Sequence, residues 1–258
     1  MAKATLTGQE IASPVLIRAF TEAGNIQSAM PDSELAAFVS VGRVVILKGA
    51  FAPETMFDLR RAVVRWGKTT EPFPHGPSPS AHPHINYHRI DDGQIASSLP
   101  HVFHQNCFND LAALAGQIGQ LVGSVAEPMR DLQNRVAGTD FDFDLAGLRT
   151  KVLRYPRGGG YLSEHQHPLE PQRLGLITSL SRLGDDFVKG GTTFRTPFGF
   201  VDTNDSHDIG DIIIFRYDLI HAVAPVDEEH PIDWDGESGK WSMLLELRET
   251  HGQSTAKV

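Results

Sequence analysis

The 258-residue chain is long enough for one large domain or two small ones with a substantial core. Hydrophobic residues make up 40% of it and charged residues 21%, which is typical of globular proteins and excludes disordered or fibrous ones. The net charge of −9 argues against a broad phosphate-binding surface, so we do not expect a nucleic-acid partner. The single cysteine, Cys107, excludes an internal disulfide and a cysteine-rich metal site.

The sequence also indicates no membrane partner. It has no apolar run long enough to cross a bilayer, and its start, MAKATLTGQE, lacks the apolar segment of a secretory signal. We therefore expect a cytoplasmic protein. The unusual feature of the composition is its 12 histidines, several of which are clustered.

The first part of the chain predicts helices with one strand between them. Residues 6–29 are mildly amphipathic and predict a first helix, and a second short helix is expected from Ser33. The β-branched run 43–49 predicts a strand, and a helix with Pro53 in its first turn should follow. A long amphipathic helix is predicted from Asn109 to about Val136.

Between Gly67 and about His104, proline, serine, glycine and histidine are frequent and there is little periodicity. A stretch of this length without structure is uncommon inside a compact domain and is typical of a functional loop or lid. We interpret its histidines as polar residues of that loop rather than a second metal site. They are His75, His82, His84 and His88.

After Gly138 the pattern changes to short β-rich segments separated by glycine, proline and aspartate. This arrangement predicts an α+β protein with a mostly β core, an antiparallel barrel or sandwich, and helices packed on one face. We expect one domain over 1–250, with helical support and the lid loop in 1–140, the barrel in 141–250 and a flexible tail at 251–258. The predicted strands of the barrel are 149–155, 174–180, 192–194, 211–215 and 241–247.

Three histidines are candidate metal ligands. His165 and His167 are two residues apart, and on a strand such side chains point to the same face and can converge on one ion. His221 ends an apolar segment far along the chain, so only the fold can bring it to the other two. Neutral imidazole suits iron, zinc, copper or nickel, so the ligand type alone does not choose the metal.

The residues around these histidines resemble a known family. The segment 152–165, VLRYPRGGGYLSEH, looks like the tyrosine–glycine–histidine segment of prolyl-4-hydroxylase-like 2-oxoglutarate/Fe(II) dioxygenases. Segments similar to that family's later motifs follow in its order at 190–194, 210–226 and 239–242. The resemblance covers roughly residues 43–248.

The resemblance implies a double-stranded β-helix, or jelly roll, backed by helices. It implies that His165 and His221 ligate Fe(II), that Tyr155 hydrogen-bonds 2-oxoglutarate, and that Lys240, beside Ser242, pairs with the distal carboxylate of that co-substrate. Lysine there supplies charge without the bidentate fork of the arginine that the family often uses. The implied activity couples decarboxylation of 2-oxoglutarate by O2 to hydroxylation, desaturation or cyclisation of a substrate.

The sequence departs from the family at one ligand. The family pattern is His-x-Asp or His-x-Glu, whereas this chain has His165-Gln166-His167. We predict His167 as the third ligand; the alternatives are that a water completes the site or that the protein no longer performs this chemistry. Glu164 and Glu170 are candidate acceptors for the ligand N–H groups, although strand alternation puts Glu164 on the opposite face.

Two other functions remain open. Gly159, the His-x-His pair and Glu170 resemble the first cupin motif, in which three histidines and often a glutamate bind a metal. Glu170 comes one residue too early, however, and the second cupin motif is absent. That alternative is a three-histidine dioxygenase that does not use 2-oxoglutarate, and the other is a non-catalytic barrel that binds a small molecule or a partner.

The expected substrate is a small molecule, an amino acid or a natural-product intermediate, because the chain is acidic and has no repeats. Tyr87 in the lid loop offers a polar contact, and Arg154 or Arg216 could meet a substrate carboxylate. Solvent exposure or a structural ion pair is the alternative for each arginine.

Overall fold

The structure, a computed structural model, describes residues 10–73, 85–92, 99–144, 146–247 and 255–256. The helices are α1 (Asp32–Ser40), α2 (Pro53–Thr69) and α3 (Gln117–Ala137). The first seven strands are β1 (Val15–Glu22), β2 (Asn25–Ser28), β3 (Val45–Lys48), β4 (Tyr87–Asp91), β5 (His101–Phe108), β6 (Leu148–Pro156) and β7 (Gly160–Gln166). The others are β8 (Leu174–Ser179), β9 (Thr192–Thr196), β10 (Gly199–Asp202), β11 (Ile212–Arg216), β12 (Ile220–Val226), β13 (Gly239–Leu247) and β14 (Thr255–Ala256).

The strands form two sheets that β5 connects. The larger sheet has the order β6-β13-β8-β11-β3-β1-β2, and the smaller has the order β10-β9-β12-β7. One end of β5 pairs with β6 and the other end pairs with β7. From β6 to β13 the chain crosses between the sheets at nearly every connection, which is the winding of a jelly roll. The predicted mostly β fold class is therefore confirmed.

One face of the larger sheet packs in the hydrophobic core, and the other face lines a cavity. In β13, Trp241 and Met243 pack into the core that the sheet shares with the helices. The alternate residues Ser242, Leu244 and Glu246 line a cavity on the inner face. This period of two is the normal geometry of a strand, and it lets one strand build both the core and the site.

The helices cover the outer face of the larger sheet, as predicted. Met56 and Leu59 of α2 and Val125 and Met129 of α3 are fully buried in the same core. Pro53 occupies the first turn of α2, where a missing N–H costs no hydrogen bond. Among the helices in the described part of the chain, none is long and apolar enough to span a membrane.

The predicted helix over 6–29 is wrong, because its described residues form the β1–β2 hairpin. Ile17 and Ala19 are buried while their neighbours along β1 are exposed, which is a period of two rather than of a helix. Ala23 and Gly24 both have positive φ, as a tight two-residue hairpin turn requires.

The lid prediction also needs correction. Within 67–104, the described residues include the end of α2, all of β4 and the start of β5. These strands carry polar residues on both faces, so they lack the alternation that identifies a half-buried strand. His75, His82 and His84 lie outside the described residues.

The long helix begins at Gln117 rather than at Asn109. Asn109 instead donates a side-chain hydrogen bond to the carbonyl of Ile85, which fixes the turn after β5. Of the expected tail 251–258, the structure describes only β14, which pairs with β7.

Candidate active site

A cavity of about 280 Å³ lies inside the barrel. Residues from both sheets line it, so only the folded barrel creates it. Apolar side chains make up much of its wall, including Leu153, Leu162, Phe215 and Val223. All three histidines that the sequence singled out line the same cavity, together with Tyr155, Ser242 and Thr192.

The fold brings the three histidines together. His165 in β7 and His221 in β12 are direct partners in the antiparallel pairing of the smaller sheet. His167 follows the end of β7. One potential ligand atom from each of the three lies within 4.8 Å of the others, a spacing compatible with one metal ion.

An irregularity in β7 aims these side chains. His221 pairs with His165, but Val223 pairs with Leu162, so β7 has one extra residue between the two pairs. Both Leu162 and His165 therefore face the cavity, although strict alternation would put them on opposite faces. Bulges of this kind are frequent beside active sites, where they re-aim a side chain.

Hydrogen bonds orient two of the rings. His165 Nδ1 lies 2.9 Å from the carbonyl oxygen of Ser163, and His221 Nδ1 lies 2.8 Å from that of Leu219. A carbonyl only accepts hydrogen bonds, so each Nδ1 carries a proton and each Nε2 keeps its lone pair for a metal.

The third ring is held by stacking. The imidazole of His167 lies parallel to the phenol ring of Tyr217, with centroids 4.3 Å apart and planes at 5°. Tyr217 is itself buried between strands β11 and β12. His167 is thus placed beside the other two rings.

The three histidines are neutral near pH 7. Burial is the largest cause in each case and lowers the pKa of His165, lowers that of His221 well below its usual value, and lowers that of His167 to about 4. Their mutual proximity lowers these values further for His167 and His221. Neutral imidazole is the form that binds a metal, so the cluster is ready to accept one without losing protons.

Neither of the glutamates considered from the sequence reaches the cluster. Glu164 forms an ion pair with Arg195 at 2.6 Å, consistent with the expected opposite face of β7. Glu170 is exposed and pairs with Arg173 at 3.0 Å. Neither carboxylate therefore replaces the family's acidic ligand.

A buried carboxylate that sequence reasoning missed does lie in the cavity wall. Glu246 contacts Arg149 at 2.5 Å and Lys151 at 2.6 Å. Burial would raise the pKa of Glu246, but Lys151 and Arg149 lower it to about 2. Glu246 is close enough to His167 to interact with it electrostatically. In the sequence, this glutamate appears only as a polar residue that interrupts an apolar strand.

The residues predicted to hold the co-substrate lie on neighbouring strands. Lys240 of β13 pairs with Tyr155 of β6, and both residues are buried. Tyr155 and Ser242 line the cavity, whereas Lys240, on the same face of β13 as Ser242, does not. Its Nζ instead lies 5.3 Å from the centroid of the Phe187 ring.

Two hydroxyl groups and one ammonium in this region are incompletely paired among the described residues. Ser242 Oγ and Thr192 Oγ1 are buried and make no hydrogen bond to the described residues. Lys240 forms no ion pair within the described part of the chain, and burial lowers its pKa to about 8. Buried polar groups are normally paired, so these groups fit an anionic ligand that would complete them.

The predicted substrate residues do not line the cavity. Arg154 donates to backbone carbonyls in the segment 233–238, and Arg216 pairs with Asp218 at 2.6 Å. Each arginine is therefore held by structural contacts, the alternative noted from the sequence. Tyr87 is buried next to the cavity wall and accepts a hydrogen bond from Gln105 at 3.1 Å.

A second polar cluster in the wall was also missed. Arg89 and Asp91 of β4 and His101 of β5 all line the cavity, and Asp91 contacts both of the others. Hydrophobic alternation gave no signal for this cluster, because polar residues stand on both faces of β4.

Comparison with known proteins places this site in a known fold. No protein-family model matches the sequence, and a search of curated proteins found no match. A prolyl-4-hydroxylase from Pseudomonas putida is similar in structure, with a TM-score of 0.55 and 10% identity over 84% of this chain and 98% of that one.

Two further solved structures are similar. The non-haem α-ketoglutarate-dependent epimerase SnoN from nogalamycin biosynthesis has a TM-score of 0.52 and 12% identity, over 83% of this chain and 81% of that one. An oxidoreductase of the 2OG-Fe(II) oxygenase family from Burkholderia pseudomallei has a TM-score of 0.50 and 12% identity, over 96% and 100%. This chain thus has the fold of the 2-oxoglutarate/Fe(II) oxygenases, which confirms at the level of fold the resemblance seen in its sequence.

Proposed function

We propose that the protein is a non-haem iron oxygenase that couples oxidative decarboxylation of 2-oxoglutarate to hydroxylation, desaturation or cyclisation of a small molecule. An amino acid or a natural-product intermediate is the expected substrate class. The observation that carries this proposal is the convergence of His165, His167 and His221 in a barrel cavity that Tyr155 and Ser242 also line.

The donor set fits Fe(II). Three neutral imidazoles leave further coordination positions open for a co-substrate and for O2, and imidazole is a normal ligand of Fe(II). The hydrogen bonds of His165 and His221 to backbone carbonyls hold each ring with Nε2 free. When bound, iron, 2-oxoglutarate and O2 supply the oxidising chemistry, and the protein supplies position and exclusion of water.

The unpartnered groups near Lys240 fit the far carboxylate of 2-oxoglutarate. With its pKa at about 8, Lys240 is charged at pH 7 in a place where that charge has no ion-pair partner among the described residues. A carboxylate would neutralise the ammonium, while Ser242 Oγ and Thr192 Oγ1 would donate to it. The apolar wall formed by Leu153 and its neighbours would keep water out and strengthen these contacts.

One observation favours the alternative of a three-histidine dioxygenase without 2-oxoglutarate. His167 joins the other two histidines, whereas Lys240 does not line the cavity. That alternative gives no function to the buried ammonium of Lys240, which has no ion-pair partner among the described residues. It predicts that the metal-loaded protein does not bind 2-oxoglutarate.

Calorimetric titration of 2-oxoglutarate into the Mn(II)-loaded protein tests the proposal. We expect the wild type to bind 2-oxoglutarate. The affinity of Lys240→Ala should be lower by a factor of about 30 or more, since a buried charge pair would be lost. Lys189→Ala is the matched control, because Lys189 is exposed and pairs with Glu229 at 3.5 Å. No binding by the wild type, or equal binding by Lys240→Ala, would contradict the proposal.

A further inference from the structure

Asp91, the last residue of β4, has a carboxylate oxygen with no hydrogen-bond partner in the part of the chain that the structure describes. Its side chain is fully buried and lines the cavity that contains the three histidines. Oδ2 accepts a hydrogen bond from Arg89 at 2.7 Å and lies 3.1 Å from His101 Nε2. Oδ1 is buried and makes no hydrogen bond to the described residues. One oxygen fixes the carboxylate in place, and the other has no hydrogen-bond donor among the described residues.

The unpaired oxygen belongs to an ionised group. Burial raises the pKa of Asp91, but hydrogen bonds from His101 and Arg89 bring it below its usual value. Nε of Arg89 is also buried and makes no hydrogen bond within the described ranges. An unsatisfied acceptor and an unsatisfied donor thus occur in the same ion pair at the cavity wall. Buried polar groups are rarely left unpaired, so the pair fits a ligand that would satisfy both.

The charges around Asp91 favour a neutral ligand group. Arg89 and Asp91 form an ion pair with one charge of each sign, and His101 lies against Oδ2, the oxygen that Arg89 already contacts. An ammonium at Asp91 Oδ1 would approach the guanidinium of Arg89, and a second carboxylate at Arg89 Nε would approach Asp91, so either ion meets a like charge. A hydroxyl or a carboxamide can donate to Oδ1 and accept from Arg89 Nε without either repulsion.

We propose that Asp91 and Arg89 form the substrate-recognition site of this cavity, and that the substrate presents a hydroxyl or a carboxamide to them. The inference rests on the proposed function, because it assigns the substrate class of the same site. Neither residue belongs to the histidine cluster or to the group around Lys240. The pair would therefore select and orient the substrate without holding the metal or the co-substrate.

The test compares four compounds that share a cyclohexane ring and differ in their polar group. They are cyclohexanol, cyclohexanecarboxamide, cyclohexylammonium and cyclohexanecarboxylate. Their binding to the metal-free, full-length protein at pH 7 is measured by NMR titration. We expect the affinities of the alcohol and the carboxamide to exceed those of the two ions by a factor of about ten or more. Only the neutral compounds can pair with both Asp91 Oδ1 and Arg89 Nε without meeting a like charge. Equal affinities, tighter binding of either ion, or no binding by any compound would overturn the proposal.

Two variants assign the selectivity to these residues. Asp91→Asn should remove the preference for the neutral compounds, while Asp58→Asn, on the exposed face of α2, should keep it. Arg89→Met gives a second check if Asp91→Asn does not fold, and should weaken carboxamide binding about tenfold. If Asp91→Asn and Arg89→Met both keep the preference for the neutral compounds, these two residues do not form the recognition site.

The visible band of an Fe(II)–2-oxoglutarate chelate separates this inference from the proposed function. A band in a wild type that shows no selectivity among the four compounds overturns the recognition site alone. Selectivity in a wild type that forms no band supports the recognition site and contradicts the proposed oxygenase activity.

Discussion

Replacing Lys240 with methionine should stabilise the ligand-free protein while it weakens the binding of 2-oxoglutarate. Burial lowers the pKa of Lys240 from 10.5 to about 8. At about 1.4 kcal/mol per pKa unit, this corresponds to about 3 kcal/mol of unfavourable free energy at pH 7. The contact with the Phe187 ring offsets about 1–2 kcal/mol of it. Methionine fills a similar volume without charge, so we expect a net gain of about 1–2 kcal/mol.

The pH dependence of this gain identifies its cause. Because the pKa of Lys240 is lower in the folded protein, folding releases a proton between about pH 8 and 10.5. The stability of the wild type should therefore rise across this range relative to Lys240→Met, and the advantage of the variant should shrink. Urea unfolding of both proteins at pH 7 and pH 10 measures this, with Lys189→Met as the exposed control. A variant that is less stable at pH 7, or an advantage that does not change with pH, would refute the reasoning.

Three further substitutions test the cavity wall. Glu246→Gln should lower the free energy of unfolding by about 3–5 kcal/mol in urea, since it removes the buried negative charge that faces Arg149 and Lys151. In the wild type this stabilisation should disappear in acid titration as the pH falls from 4.5 towards 2, because the pKa of Glu246 is lowered to about 2. Gly175→Ala places a Cβ 2.2 Å from the Phe215 ring, so a loss of about 1–3 kcal/mol is expected in urea unfolding. Tyr217→Leu removes the ring stacked on His167 and should weaken Co(II) binding about tenfold in a spectroscopic titration.

Each substitution has a control elsewhere in the chain. Glu170→Gln removes an exposed charge and should change stability little. Gly123→Ala, inside α3 with room for a methyl group, should raise stability rather than lower it. Phe198→Leu changes an exposed aromatic residue and should leave Co(II) affinity unchanged. If a control variant changes stability or Co(II) affinity as much as its test variant does, the effect does not come from the cavity.

The sequence identified the barrel strands because their apolar runs are bounded by glycine, proline and aspartate. It also identified the three histidines, since the spacing of His165 and His167 is a local property of a strand. The convergence of His221 with them depends on the pairing of β7 with β12 and on the bulge at Leu162, and neither is a local signal. The family resemblance supplied the order of the strands that makes this pairing possible.

The missed features share one physical cause. The strands β4 and β5 carry polar residues on both faces, so Asp91 and His101 stand in a sequence that shows no clear hydrophobic alternation. We predicted a loop over 67–104 from its polar composition, because polar residues are usually exposed. Glu246 was missed for a similar reason, since its cationic partners lie about 100 residues away in the chain. Pairing between distant residues determines whether a charge can be buried, and the sequence does not show it directly.

We propose that the three histidines of the cavity hold Fe(II) and that Lys240, on the neighbouring part of β13, pairs with 2-oxoglutarate. Anaerobic addition of Fe(II) and then 2-oxoglutarate to the metal-free protein tests it most directly, by the weak visible charge-transfer band of the chelate. We expect a band in the wild type, a lost or weakened band in Lys240→Ala, and weaker iron binding in His167→Ala. Iron binding without a band would favour the three-histidine dioxygenase, and a wild type that binds no iron would contradict the account.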